Sequence, residues 1–247
     1  AHKRAMQVCE PGMFEYQVEA EILYEFRKAG MDTAYPSIVG GGENGCILHY
    51  TENNCELQDG DLLLIDAGAE CGGYASDITR TFPVNGKFSE VQRQVYDVVL
   101  RAQHAAIDAA KPGNHWDDPH RAAIRELTKG LVELGVLKGD LDKLIEDEAY
   151  KPFYMHRTGH WLGLDVHDVG DYKVGDTWRT LEPGMALTIE PGLYISAGAE
   201  GVDEKFWNIG IRIEDDVVIT KDGCQVLTSV VPTDPDAIER LMARPLK

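Results

Sequence analysis

Four acidic residues border runs of strand-forming residues, a context in which carboxylates are normally disfavoured. Asp66 follows Leu-Leu-Leu-Ile, Glu190 follows Ala-Leu-Thr-Ile, Glu214 follows Ile-Arg-Ile, and Asp77 comes directly before another such run. Asp and Glu are depleted in strands and are almost never fully buried without a partner. Carboxylates that converge in a protein interior repel one another and take up protons, unless a divalent cation neutralises them. The four acids therefore predict a metal site.

A histidine-rich segment could complete that site. Residues 155–168 contain three of the chain's eight histidines, His156, His160 and His167. Imidazole is the commonest side-chain metal ligand and a natural proton carrier near pH 7. A mixed set of carboxylates and imidazole suits Mn²⁺, Co²⁺ or Zn²⁺. Four carboxylates and one histidine offer enough ligand atoms for two metals about 3.5–4 Å apart, as in metal-assisted hydrolysis, although spacing alone does not say which acids bridge.

A faint internal repeat places acids in the same structural position twice. Residues 60–68 align with residues 184–192, and each copy consists of a turn, an apolar strand, a carboxylate and a glycine. A second strand with another carboxylate follows each copy, Asp77 in the first and Glu214 in the second. One such acid is more simply interpreted as a strand end that faces water. Four acids in two hairpins related by a pseudo-twofold instead favour a shared site.

Three amphipathic helices are predicted to support the strands. The first has the apolar stripe Val18, Ile22, Phe26 and Ala29 and ends at Gly30. The second begins with a capping box of Ser89 and Gln92 and ends before Pro112-Gly113. The third begins at Asp118-Pro119, interpreted as a capping residue followed by proline at the first helical position, and buries Ile124, Leu127, Leu131 and Leu134.

The predicted strands cover residues 62–65, 78–82, 186–189 and 209–219. No low-complexity stretch or Pro/Ser-rich linker divides the chain, so the sequence predicts one α+β domain. Four of the five histidines outside the cluster, His2, His104, His115 and His120, are interpreted as structural. The acidic stretch before His120 is better explained as a helix start than as a metal site.

Composition excludes several classes of function. The 247 residues carry 24 Lys and Arg against 42 Asp and Glu, a net charge of −18 that argues against nucleic-acid binding. No apolar run reaches about 18 residues, so a membrane span is not expected. Five cysteines without a C-x-x-C pair argue against a disulfide framework and a zinc finger, and favour the cytoplasm. The chain starts without Met and is typical of part of a longer protein.

The ordered set of Asp66, Asp77, His160, Glu190 and Glu214 resembles the five metal ligands of the pita-bread metallopeptidases. Methionine aminopeptidase, prolidase, aminopeptidase P and creatinase share that fold. Residues 48–53, 76–86, 160–168 and 210–216 are similar to segments of bacterial aminopeptidase P, and the resemblance covers nearly the whole chain. It implies an enzyme that removes the N-terminal residue from peptides whose second residue is proline.

The resemblance also implies a role for each matched ligand. Asp66 would chelate one metal, Asp77 and Glu214 would bridge both metals, and His160 and Glu190 would bind the second. A hydroxide that bridges the metals would attack the scissile carbonyl, which the metals polarise as Lewis acids. Glu190 would accept the proton from that water.

Further residues are matched outside the ligand set. His156 and His167 match histidines that hydrogen-bond substrate and stabilise the tetrahedral intermediate. His49 matches a pocket histidine that helps to seat proline, and Arg212 would orient the carboxylates. Tyr194 is expected either to line the pocket or to be an ordinary tyrosine at a strand end.

The implied cofactor is a pair of divalent ions, with Mn²⁺ preferred over Co²⁺ or Zn²⁺. The implied partners are peptides with proline at the second position and further copies of the chain, with neither nucleic acid nor membrane. The N-terminal domain usual in aminopeptidase P and prolidase is not found, so residues 1–247 are expected to form the catalytic domain. Open alternatives are a prolidase limited to Xaa-Pro dipeptides, a relative that hydrolyses other small substrates such as organophosphate esters, and an inactive binding module.

Overall fold

The computed structural model describes residues 1–244, and over this range the chain forms six α-helices and thirteen strands. The helices are α1 (His2–Val8), α2 (Glu15–Lys28), α3 (Glu90–Ala109), α4 (Asp118–Glu133), α5 (Leu141–Glu146) and α6 (Pro235–Met242). The strands are β1 (Asp32–Thr33), β2 (Ile38–Gly41), β3 (Leu62–Asp66), β4 (Ala69–Cys71), β5 (Tyr74–Ala75), β6 (Thr79–Pro83), β7 (Lys173–Val174), β8 (Thr177–Trp178), β9 (Ala186–Ile189), β10 (Gly192–Ile195), β11 (Ile209–Arg212), β12 (Asp215–Ile219) and β13 (Cys224–Val226). Two short 3₁₀ turns cover Gly42–Cys46 and Glu204–Phe206. A helix able to span a membrane is not found among residues 1–244.

The first two predicted helices are confirmed. Val18, Ile22 and Phe26 of the predicted stripe are buried in α2, whereas Ala29 is exposed and is the C-cap residue. The chain leaves the helix through Gly30, which has a φ of 75° that suits glycine. At the start of α3, Ser89 Oγ accepts from the Gln92 N–H at 3.2 Å, and Gln92 Oε1 accepts from the Ser89 N–H at 2.8 Å. This is the predicted capping box.

The predicted start of the third helix is wrong by one residue. Asp117 is the N-cap of α4, whereas Asp118 is already helical and its carboxylate accepts from the His115 N–H at 2.7 Å. Proline has no backbone N–H, and the N–H groups of the first helical turn have no acceptor within the helix. Proline is therefore tolerated at either of the first two helical positions, and Pro119 alone does not show which of them it occupies. The predicted apolar face of α4 packs against α3.

Two three-stranded antiparallel sheets, β2-β3-β6 and β13-β12-β9, contain the two copies of the repeat. In the first sheet Asp66 pairs with Thr79, and in the second Ile189 pairs with Asp215. An isolated antiparallel bridge between Thr79 and Glu214 joins the two sheets. The repeat therefore forms one continuous platform, with its four acids near the junction.

The prediction of one strand over residues 209–219 is wrong. The segment forms two strands, because β11 pairs with β10 whereas β12 pairs with β9 and β13. The break falls at Ile213 and Glu214, where the Glu214 N–H donates to the Thr79 carbonyl at 3.1 Å. Composition cannot reveal such a change of partner, since both halves are equally apolar.

A buried arginine ties the later part of the chain to this platform. The Arg80 guanidinium is fully buried and pairs with Asp215 at 2.7 Å. It also donates to the carbonyl of Glu214 at 2.5 Å, of Val231 at 3.0 Å and of Pro232 at 3.2 Å. The cation thus links the junction of the sheets to the segment that leads into α6.

Candidate metal centre

The five predicted ligand residues lie around one cavity of about 260 Å³. Asp66 ends β3, Asp77 precedes β6 by two residues, Glu190 follows β9, and Glu214 lies between β11 and β12. His160 belongs to a segment beside β9, where its carbonyl accepts from the Thr188 N–H at 3.0 Å. The predicted convergence of four acids and a histidine therefore follows from the topology of the two sheets.

The shortest separations centre on His160. Its Nε2 lies 3.3 Å from Asp77 Oδ2, 3.7 Å from Glu190 Oε1 and 4.0 Å from Glu214 Oε1. Ligand atoms of Asp77, His160 and Glu214 all lie within 4.8 Å of one another. The His160 Nδ1–H donates to the Trp161 carbonyl at 2.9 Å, so Nε2 is the ring nitrogen that faces the acids.

Three of the carboxylates are poorly compensated by protein charges alone. Burial, and then the charge of Asp66, raises the pKa of Asp77 to about 6. Burial raises the pKa of Glu190 to about 7, and burial together with Asp77 and Glu190 holds the pKa of Glu214 well above its ordinary value. A divalent cation between these groups would replace the missing positive charge. Oxygen and imidazole donors fit such an ion chemically.

Opposing effects set the protonation of His160. Burial acts to lower its pKa, but the hydrogen bond that its Nε2–H donates to Asp77 and the charge of Glu190 together raise it to about 9. The ring therefore carries a proton near neutral pH when it faces the acids alone. Metal coordination at Nε2 would require the release of that proton.

Asp66 differs because it has a cationic partner. The Arg212 Nη2 donates to Asp66 Oδ2 at 2.6 Å. Although burial acts to raise the pKa of Asp66, the charge of Arg212 and the hydrogen bond from Tyr35 lower it below its ordinary value. Arg212 also donates to Tyr194 Oη at 3.0 Å and to Thr79 Oγ1 at 3.2 Å. Its guanidinium is thus placed to orient the Asp66 carboxylate.

Tyr35 is a site residue that sequence reasoning missed. Its hydroxyl lies 2.6 Å from Asp66 Oδ1 and 2.5 Å from Asp77 Oδ1, so it bridges the two aspartates. Burial and the neighbouring acids hold the pKa of Tyr35 well above its ordinary value, so the hydroxyl keeps its proton. Tyr35 belongs to no repeat or periodic pattern, and no signal in the sequence pointed to it.

Three further residues that were not predicted from the sequence contact the acids. Thr79 donates to Glu214 Oε2 at 2.6 Å, Asp216 Oδ2 accepts from the Asp77 N–H at 3.1 Å, and Thr188 Oγ1 lies 3.4 Å from Glu190 Oε1. Each follows or precedes a predicted ligand by two residues. Side chains two residues apart in a strand lie on the same face, so a search at this spacing from the predicted ligands would have identified all three residues.

His156 lies beside the acids but has a different role from His160. Its Nδ1–H donates to the Arg157 carbonyl at 2.7 Å, so its Nε2 accepts from Tyr194 Oη at 2.8 Å. Burial, and then the charge of Arg212, lowers the pKa of His156 to about 3. The ring is therefore neutral at pH 7. Tyr194 is itself buried in β10 and connects His156 to Arg212 behind the cavity rather than ending a strand at the surface.

His49 and His167 line the same cavity from its exposed side. The His167 ring lies 4.3 Å from the His160 ring, nearly edge-on. Burial, and then the charge of His160, lowers the pKa of His167. The four histidines interpreted as structural, His2, His104, His115 and His120, are outside this lining.

The chain is similar in sequence to a known protein family and to curated proteins. The family description of metallopeptidase family M24 matches residues 1–221. The chain is 57% identical to Xaa-Pro aminopeptidase of Escherichia coli K12, over 98% of this chain and 55% of that protein. It is 42% identical to Xaa-Pro aminopeptidase 1 of Streptomyces coelicolor, over 93% of this chain and 47% of that protein.

The solved structures agree with the predicted fold. Aminopeptidase PepP of Pseudomonas aeruginosa superposes with a TM-score of 0.97 at 60% identity, over 98% of this chain and 55% of that one. Proline aminopeptidase P II of Yersinia pestis superposes with a TM-score of 0.95, also at 60% identity, over 98% of this chain and 56% of that one. The predicted α+β pita-bread fold is confirmed. The chain spans about half the length of these relatives.

Proposed function

The chain belongs to metallopeptidase family M24, and from this premise we propose that it releases the N-terminal residue of peptides whose second residue is proline. The observation that supports this most strongly is the convergence of four acids and His160 on one cavity. The 57% identity to an Xaa-Pro aminopeptidase favours proline-containing substrates. Residues 1–247 would act as the catalytic domain.

The proposed cofactor is a pair of divalent ions, with Mn²⁺ preferred over Co²⁺ or Zn²⁺. Asp66 would bind one ion, His160 and Glu190 the other, and Asp77 and Glu214 both. When bound, the ions would polarise the scissile carbonyl and lower the pKa of the attacking water. Arg212 and Tyr35 would hold the Asp66 carboxylate in place through the hydrogen bonds described above.

Proton transfer is assigned to Glu190. Its side chain lines the cavity, where a carboxylate can both accept a proton from the attacking water and return it to the leaving group. His156 lies next to it, with 3.8 Å between His156 Nδ1 and Glu190 Oε2. Because the neutral His156 ring does not take up a proton near pH 7, a proton accepted by Glu190 stays on the Glu190 carboxyl group.

Substrate contacts are assigned to the exposed histidines. Within residues 1–244 the rings of His49 and His167 make no hydrogen bond to the protein, and both line the cavity. Each can therefore offer an N–H to the peptide carbonyl groups or pack against the proline ring. Together with His167, His156 would stabilise the tetrahedral intermediate once its Nδ1–H turns from the Arg157 carbonyl to the substrate oxygen.

The decisive experiment compares Gly-Pro-Phe with Gly-Pro after metal removal, with and without added Mn²⁺. We expect Mn²⁺-dependent release of glycine from the tripeptide, and no cleavage of Gly-Ala-Phe or N-acetyl-Gly-Pro-Phe. Cleavage of the dipeptide alone would instead indicate a prolidase. Failure to bind Mn²⁺ or to cleave either peptide would indicate a binding module.

A pair of variants tests the metal assignment. Glu214→Gln should lose both Mn²⁺ binding and hydrolysis, whereas Glu10→Gln, which makes the same change at an exposed position, should lose neither. Near wild-type turnover in Glu214→Gln would show that the ligand assignment is wrong.

A further inference from the structure

A second concave surface opens beside the metal cavity. This aromatic groove has a volume of about 440 Å³ and is lined by Trp116, Arg157, Gly159, Tyr172, Lys173 and Trp178. Arg157 and Gly159 also line the metal cavity. The two concave surfaces therefore adjoin each other at these two residues.

The hairpin of β7 and β8 forms one wall of the aromatic groove. Lys173 and Trp178 are directly paired across this hairpin. The Lys173 Nζ lies 4.4 Å from the centre of the Trp178 ring, and the Arg157 Cζ lies 4.7 Å from the same ring. Two cations thus contact one indole, an arrangement that holds its ring in place.

Packed aromatic rings form the other wall. Trp116 is only 5% exposed, packs against Trp161 with 4.2 Å between ring centres, and meets the edge of Tyr172 at 4.8 Å. Tyr172 is 37% exposed. The groove therefore offers accessible aromatic surface on a rigid base. Accessible aromatic rings of this kind can bury the side chains of an extended peptide segment.

Local charge favours an anionic end of the bound segment. The protein carries a net charge of −18, which repels anions in general. Arg157 is already paired with Asp117 at 2.5 Å. By contrast, no carboxylate of residues 1–244 lies within 4.0 Å of the Lys173 Nζ, so this cation is free to pair with a ligand. A peptide carboxylate is the group of matching chemistry.

We propose that the aromatic groove binds the residues that follow proline in a peptide substrate, with its C-terminal carboxylate near Lys173. The inference rests on the proposed function. An aminopeptidase substrate has no residue before the one that is released, so any part of the peptide outside the metal cavity comes after the scissile bond. Trp178 and Lys173 then determine how strongly longer peptides bind relative to the shortest substrate.

The test compares Gly-Pro-amide, which has no third residue, with Gly-Pro-Phe-(Ala)n for n from 0 to 2, as free acids and as C-terminal amides. Trp178→Ala should raise KM for the longer peptides about tenfold, the usual size of a buried aromatic contact, and leave Gly-Pro-amide unchanged. Lys173→Glu should raise KM about fivefold for the free acid of at least one length, but not for its amide.

Lys138→Glu is the matched control, because it makes the same change of charge at an exposed position away from the groove. Equal KM values in Lys173→Glu and Lys138→Glu at every length would overturn the role of Lys173. An unchanged preference for long over short peptides in Trp178→Ala would overturn the groove, while wild-type cleavage of Gly-Pro-Phe would still support the proposed function.

A binding measurement separates the two proposals if the wild-type protein cleaves no peptide. Calorimetry of Gly-Pro-Phe-Ala with the metal-free protein then decides the matter. Weaker binding by Trp178→Ala than by wild type would support the groove as a peptide site although the proposed function had failed. Equal binding, or none by either protein, would overturn the groove as well.

Discussion

Thr79 and Glu214 join the two copies of the repeat through two hydrogen bonds. Thr79 Oγ1 donates to Glu214 Oε2 at 2.6 Å, and the Glu214 N–H donates to the Thr79 carbonyl at 3.1 Å. Both residues are buried. A carboxylate supplied by the second half of the chain is therefore oriented by a hydroxyl from the first half.

This contact predicts that Thr79→Val weakens metal binding. Valine keeps the shape of the side chain but removes the donor to Glu214 and the acceptor for Arg212 Nε, which lies 3.2 Å away. Loss of such an orienting bond lowers metal affinity by about tenfold or more. Calorimetric titration with Mn²⁺ measures the change, and Thr79→Ser, which retains the hydroxyl, should bind like wild type. Equal affinity for Thr79→Val would mean that the bond does not orient the ligand.

The metal-free protein should lose stability as pH rises from about 7 to about 9. In this window the native state still releases protons from Glu190, Asp216 and His160, whose pKa values are raised to about 7, 8 and 9. The unfolded chain has already lost these protons, so stability falls with pH. The buried histidines with lowered pKa values, His2, His120 and His156, oppose this trend only below about pH 6.5.

Urea unfolding at several pH values in the presence of a chelator measures this dependence. With saturating Mn²⁺ the ligand carboxylates stay ionised and His160 stays neutral in the native state, so the part of the slope that comes from Glu190 and His160 should disappear. A metal-free protein that becomes more stable between pH 7 and 9 would contradict the assigned protonation states.

His156→Ala should reduce turnover but leave the metal content intact. The ring lies next to Glu190, yet its Nε2 is occupied by Tyr194 Oη at 2.8 Å and does not face the proposed ions. Loss of a group that stabilises the tetrahedral intermediate lowers kcat by about 10²-fold or more. Metal analysis and kinetics with Gly-Pro-Phe test both parts. His104→Ala, at an exposed position, should change neither, and equal loss of metal in His156→Ala would make His156 a ligand.

Gly130→Ala should destabilise the packing of α3 against α4. A Cβ at position 130 would lie 2.1 Å from Val98 Cγ1, so the helices must move apart. Overpacking of this kind costs about 1–3 kcal/mol of the free energy of unfolding. Val98→Ala alone should also destabilise because it leaves a cavity, but the double variant should recover part of the loss. Additive losses in chemical denaturation would show that the contact is not the cause.

The convergence of the acids was predictable because it depends on local patterns that repeat. Each copy of the repeat ends an apolar strand in a carboxylate, and β3 and β9 do place Asp66 and Glu190 at the same cavity. Capping residues and apolar stripes likewise predicted α2 and α3. Such features depend on neighbours in sequence, which a single chain displays directly.

Features that depend on distant partners escaped prediction. Tyr35 reaches Asp66 and Asp77 from a segment without periodicity. Residues 209–219 change partner at Glu214, where the backbone forms a bridge with Thr79. No local preference in the sequence encodes this pairing. Pairing of Lys173 with Trp178 also depends on a short hairpin of exposed residues, where neither burial nor alternation provides a signal.

The buried Arg80 affects how the protein unfolds. Its guanidinium donates to the carbonyls of the turn at Val231 and Pro232. If this turn separated from the sheets, the buried charge would lose part of its hydrogen bonding. Fraying from the end of α6 would therefore stop at this turn. Separation of the turn and disruption of the junction at Glu214 would occur as a single cooperative event.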